Sequence, residues 1–168
     1  MQTVEKVTTR WVFFKGISVF SKAIKFWTRS QYSHVAYLLN DTTLIEVWGS
    51  DPFRICWDFV TPPFAKHEPR TPIEIWSLDL PIDEYLVVDK FMRKLALQKA
   101  PYDWLGVFGF ILKLEKHKRQ GYFCSEGCTA ALCKAKNWQT IKPHHISPVS
   151  LLNLIEAMGG KKEQEFTL

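Results

Sequence analysis

The sequence predicts a single domain that mixes β-strands with α-helices, and three observations carry that expectation. A chain of 168 residues, 46% hydrophobic and 14% aromatic, has ample apolar surface for one packed core. Runs rich in β-branched and aromatic residues fall mainly in the first half, separated by glycine, proline and Asn-Asp-Thr clusters. In the second half helical segments dominate, opened by proline and acidic residues and closed by Gly159-Gly160. Neither an internal repeat nor a linker divides the chain, so residues 1–168 are read as one domain with a core over about 8–158 and a polar tail over 159–168.

Thr8 to Lys15 reads as a first strand, broken by Gly16, and Ser18 to Thr28 reads as a helix with Val19, Ala23, Phe26 and Trp27 spaced for one buried face. Ser33 to Leu39 and Thr43 to Trp48 flank the turn former Asn40-Asp41-Thr42 and predict a β-hairpin. Strands follow at Phe53 to Phe59 and Ile73 to Leu78. The loop between them, residues 61–72, holds four of the nine prolines and is expected to form one rigid wall of a cleft or a plain connector. Pro81-Ile82-Asp83-Glu84 opens a helix to about Lys99, with Leu86, Val87, Phe91 and Leu95 facing the sheet. Asp103 is placed to cap a short apolar helix. Tyr122-Phe123 leads into a helix from Cys124 to about Lys134, and Pro148 starts a last one over Val149 to Met158. Lys161 to Leu168 is expected to fray.

Cys124 stands out because of where it falls. In the first helical turn, unpaired backbone N–H groups and the positive end of the helix dipole favour the thiolate, the form of sulfur that attacks carbonyls. The matching base is His34, on a strand-like run ninety positions earlier. An odd-length turn in the hairpin puts residues 34, 36, 38 and 44, 46, 48 on one face, so Glu46 lies opposite or diagonal to His34 and can orient its imidazole. Taken singly, each of the three has an ordinary structural explanation. Cys128 and Cys133 lie farther along the same helix, where burial raises a thiol pKa, and are read as structural.

Lys25-Phe26-Trp27-Thr28-Arg29-Ser30-Gln31-Tyr32-Ser33-His34-Val35, Leu44-Ile45-Glu46-Val47, Tyr102-Asp103 and Tyr122-Phe123-Cys124-Ser125-Glu126 together resemble the motifs of the circularly permuted papain-like hydrolases of the NlpC type, YiiX-like branch. The resemblance implies an α+β fold in which an antiparallel, barrel-like sheet packs against the cysteine helix. It also implies Cys124 as nucleophile, His34 as general base and Glu46 as the residue orienting it, acting on an amide, ester or thioester carbonyl. Amide cleavage in a peptide, a peptidoglycan fragment or an acyl amide is the expected activity. A lipid-directed acyltransferase or thioesterase and a non-catalytic binding protein are the alternatives. The backbone N–H of Cys124 is one expected oxyanion donor, with Tyr32 or Tyr102 as the second.

Other classes are excluded on chemistry. A net charge of +5 is spread along the chain, so nucleic acid is not expected as a partner. The four cysteines lack a Cys-x-x-Cys or zinc spacing and are read as reduced thiols, with no metal or cofactor. The longest apolar run, Trp104 to Leu112, falls short of the about 20 residues a bilayer span requires. Without a signal-peptide pattern, a cytoplasmic location is expected, or a phage-encoded protein released by lysis or carried in a virion. Trp48, Trp57, Trp76 and Trp104 are read as core rather than as an acyl groove.

Overall fold

A computed structural model describes residues 5–48, 55–103 and 121–168, together with the backbone course of its strands and helices. Six strands, β1 (Lys6–Phe14), β2 (His34–Asn40), β3 (Thr43–Trp48), β4 (Cys56–Val60), β5 (Pro72–Pro81) and β6 (Lys161–Thr167), form one antiparallel sheet in the order β4-β3-β2-β1-β5-β6. Four helices accompany it among the described residues: α1 (Val19–Thr28), α2 (Ile82–Leu97), α3 (Cys124–Ala135) and α4 (Pro148–Ala157). The mixed α+β class is therefore realised. The sheet is open rather than barrel-like, because β4 and β6 lie at opposite edges and do not pair. β6 carries Lys161, Lys162, Glu163 and Glu165, and an edge dressed in charge resists further pairing.

Alternation along the strands divides the core in two. Trp11, Phe13, Val35, Tyr37, Ile45, Val47 and Trp57 face α2, α3 and α4, where Val88, Met92, Cys128, Leu132, Leu151 and Ile155 meet them. Val12, Phe14, Ala36, Leu38, Leu44, Val60, Ile73 and Ile75 face the other way, with Phe64 and Leu168 against them. Trp57 and Trp76 are core, as expected; the side chain of Trp48, Trp104, and the short helix after Asp103 lie outside the described residues.

Three expectations are corrected. In α1, Val19, Phe26 and Trp27 are exposed rather than buried, because both sheet faces are already covered by other segments. In α2 the buried face is Val88, Met92, Leu95 and Ala96, and Leu86 and Val87 point outward; a helix with apolar residues on several sides leaves its rotation to the packing partner. The polar tail is not frayed: residues 161–167 form β6, held by backbone pairing to β5 and by ion pairs from Arg10 to Glu163 (3.0 Å) and Lys15 to Glu165 (2.8 Å). Side-chain polarity reported exposure there, while the backbone supplied the order.

Candidate active site

Two neighbouring pieces of backbone set the position of Cys124. Trp57 Nε1 donates to the Tyr122 carbonyl at 3.0 Å and so pins the lead-in to α3. One turn into the helix, a Cβ on Gly127 would lie 2.4 Å from Trp57 Cζ2, so only glycine lets α3 settle this closely on β4. The Glu126 carboxylate accepts the Phe123 N–H at 3.4 Å and caps the first turn. Cys124 is thereby held at the helix N-terminus, where the residue is 7% exposed.

His34 opens β2, directly opposite Phe14 of β1. Between β2 and β3 the connection is shorter than the sequence suggested: Asn40 pairs with Thr43, leaving Asp41 and Thr42 as a two-residue turn. That turn alone would send Glu46 to the opposite face from His34. A β-bulge between Leu38 and Asn40 restores the parity, so Leu38 pairs with Leu44, and Glu46 falls on the face of His34, diagonal to it. Glu46 Oε2 then meets His34 Nε2 at 3.1 Å. With Nε2 engaged, Nδ1 is the nitrogen left for Cys124, which lies close enough for each group to shift the other's ionisation. All three expected residues thus come together.

A fourth residue joins them. His67, from the proline-rich loop, places Nε2 2.8 Å from the same Glu46 oxygen and stacks on Phe14, with ring centroids 3.8 Å apart and planes at 13°. From the sequence the loop is either a cleft wall or a plain connector, and His67 is not among the expected site residues. Its only local signal was a histidine within a proline-braced segment, and its partner lies across the sheet.

Glu46 is fully buried, and its charge organises the group. Burial works to raise its carboxyl, yet the two imidazoles hold it down at about 2. Burial likewise pulls His34 down, but hydrogen bonds to Cys124 and Glu46 and their negative charge raise it to about 10. For Cys124, burial opposes ionisation; the hydrogen bond and positive charge of His34 and the backbone N–H groups of Val35 and Ser125 outweigh it and bring the thiol below its ordinary range. Buried Cys128 moves the other way, well above that range, and Cys133 is raised as well. The arrangement favours an imidazolium–thiolate pair. His34, Glu46 and His67 also form a set of metal-ligand types, with one donor atom from each lying within 4.8 Å of the others.

Of the two tyrosines considered as oxyanion donors, Tyr32 is committed elsewhere, donating to Glu74 Oε2 at 2.9 Å. Tyr102 lies close enough for the Cys124 charge to help burial keep its phenol protonated. A cavity of about 80 Å³ opens on the imidazole side, lined among others by Ile17, Ser21, Ser33, His34 and His67. No protein-family model matches the chain, and no curated protein matches it.

Proposed function

We propose that this chain is a thiol hydrolase that cleaves an amide bond, with Cys124 as nucleophile, His34 as proton carrier and Glu46 as the group that orients it. The observation that carries the proposal is the meeting of Cys124, at a helix N-terminus, with a His34 imidazole that is hydrogen-bonded to a buried carboxylate. The permuted papain-like fold belongs to the same proposal. Strands β2 and β3 deliver the imidazole and the carboxylate, and a later helix delivers the sulfur, the chain order that such a permutation requires.

The thiolate attacks the carbonyl carbon, and negative charge moves to the carbonyl oxygen. The backbone N–H of Cys124 and the Tyr102 hydroxyl are the donors proposed to receive it. His34 Nδ1 gives its proton to the leaving nitrogen as the C–N bond breaks, which leaves an acyl–sulfur bond and a neutral imidazole. Water then loses a proton to His34 and attacks the acyl carbon. The C–S bond breaks, the acid is released, and thiolate and imidazolium are restored. Glu46 keeps its charge throughout and holds Nε2–H, so that Nδ1 faces the sulfur at each step.

Incubating the protein with matched acyl p-nitroanilides and p-nitrophenyl thioesters, followed by intact mass, tests the proposal. Acyl transfer to Cys124 and turnover of the anilide are expected, both lost in Cys124→Ala. Turnover that survives Cys124→Ala contradicts the nucleophile assignment, and turnover of thioesters alone moves the reading to acyl transfer.

A further inference from the structure

Helix α1 contributes no buried side chain among the described residues. It is nevertheless well terminated. Ser18 Oγ accepts the Ser21 N–H at 3.1 Å, and Arg29, at φ 48°, turns its N–H back to the Lys25 and Phe26 carbonyls. A ten-residue helix is marginal by itself in water and ordinarily owes its stability to an apolar face laid on something. Its apolar face is present but bare: Val19 is 85% exposed, Phe26 76% and Trp27 57%, and with Lys22 and Ala23 they line one side of the helix at positions 19, 22, 23, 26 and 27. Ile17, just before the helix, is 39% exposed and extends the patch.

The stretch of chain that holds this face is basic, although the fold brings Glu68 to the cavity that Ile17, Ser18 and Ser21 line. From Lys6 to Asn40 the sequence holds six basic residues and no acidic one. Arg10 and Lys15 are neutralised by Asp41, Glu163, Glu74 and Glu165. Among the described residues no carboxylate pairs with Lys22 or Arg29, which are exposed and lie within or beside the apolar stripe; Lys25, on the half-buried side of the helix, turns its ammonium to the Lys15 carbonyl at 3.4 Å. A second copy of the chain is a poor cover, because joining two such faces would set these cations against one another. The helix is also a ridge rather than a groove, so it offers no trough to a peptide.

We propose that α1 is an interfacial anchor that seats this side of the protein on an anionic lipid surface, with Phe26, Trp27 and Val19 entering the headgroup–acyl boundary and Lys22 and Arg29 meeting lipid phosphates. Ten residues at 1.5 Å each reach about 15 Å, which lets the helix lie in the interface and not cross it. Among the described residues no helix is long and apolar enough to span a membrane. Ile17, Ser18 and Ser21 also line the cavity that reaches His34 and His67, so the proposed anchor lies beside that cavity. The inference does not depend on the hydrolase proposal.

Flotation of the full chain with vesicles tests it, comparing pure phosphatidylcholine with equal parts phosphatidylcholine and phosphatidylglycerol. Recovery with the anionic vesicles is expected to exceed that with the neutral ones about tenfold or more at low salt, and to fall as salt rises. Phe26→Ser with Trp27→Ser is expected to abolish flotation, and Lys22→Glu with Arg29→Glu to remove the preference for anionic lipid. Both replace exposed side chains, so thermal melting should stay close to that of the parent; a pair that fails to fold leaves the other to decide. Cys124→Ala is expected to float like the parent even if no hydrolysis is ever found. Absence of flotation with anionic vesicles overturns the proposal, as does unchanged flotation of the Phe26/Trp27 variant. So does a parent dimer that dissociates in that variant and ignores vesicles, because a second copy then covers the face.

Discussion

Glu46 is the residue whose chemistry is most constrained. It is fully buried, and one of its oxygens accepts from two imidazoles. Its pKa in the folded protein, about 2, lies below the ordinary 4.5, so ionisation favours folding. That contribution, about 3 kcal/mol, is complete above pH 4.5 and is lost as the pH falls toward 2. Glu46→Gln removes the titrating group and is expected to flatten the acid limb of stability, read by denaturant unfolding between pH 2 and 6; an unchanged limb would assign it to other carboxylates. The same variant should lower kcat about tenfold or more, because His34 loses the acceptor that fixes its tautomer. His67→Ala leaves the His34–Glu46 contact in place, so a smaller loss is expected, and a loss as large as that of Glu46→Gln would make His67 an equal partner in proton transfer. For Tyr102→Phe, steady-state kinetics should show kcat down about 100-fold with KM little changed, the pattern of a donor used in the transition state. Cys124 and His34 were legible at this scale because a helix start and a strand-borne histidine are local patterns. His67 was not, since its partner is set by how residues 61–71 fold over the sheet.

Among the elements, the β2–β3 hairpin shows how close the sequence came and what it could not contain. Alternation correctly put Glu46 on the His34 face, but the three-residue turn behind that inference is in fact two residues plus a bulge between Leu38 and Asn40. Both routes preserve the parity, and only the bulge is built. Helix faces were read less well. The spacing of Val19, Ala23, Phe26 and Trp27 marks an apolar side truthfully, yet periodicity says nothing about whether the protein itself covers it. The seating of α3 depends on Gly127 against Trp57. Gly127→Ala forces a Cβ to within 2.4 Å of the indole unless the helix moves. Overpacking of this kind costs about 1–3 kcal/mol, so thermal unfolding should occur several degrees lower, and activity should fall as the sulfur is displaced. A variant that melts and reacts like the parent would show that the helix has slack.

For the whole molecule, the open sheet separates two jobs. Its helix-covered face holds most of the core and carries the cysteine helix, and the opposite face carries Glu46 and Ala36 beneath the proline-rich loop. Cys124, His34 and Glu46 meet where the first residue of β2 reaches the N-terminus of α3. That long-range meeting followed from the sequence only as a pairing of types, because the open order β4-β3-β2-β1-β5-β6 depends on a polar tail that composition marked as loose. Deleting residues 161–168 uncovers the edge of β5, and self-association in sedimentation velocity is the expected result; a monomer as stable as the parent would make β6 dispensable. The proposed chemistry rests on the state of one sulfur. Alkylation of Cys124 by iodoacetamide, followed by mass spectrometry across pH 4 to 10, should give a reactive thiolate well below the usual thiol pKa of about 8.5, and His34→Ala should return it to that range or above. A parent Cys124 that alkylates no faster than Cys128 near neutral pH, or a profile that His34→Ala leaves unmoved, would contradict the imidazolium–thiolate pair.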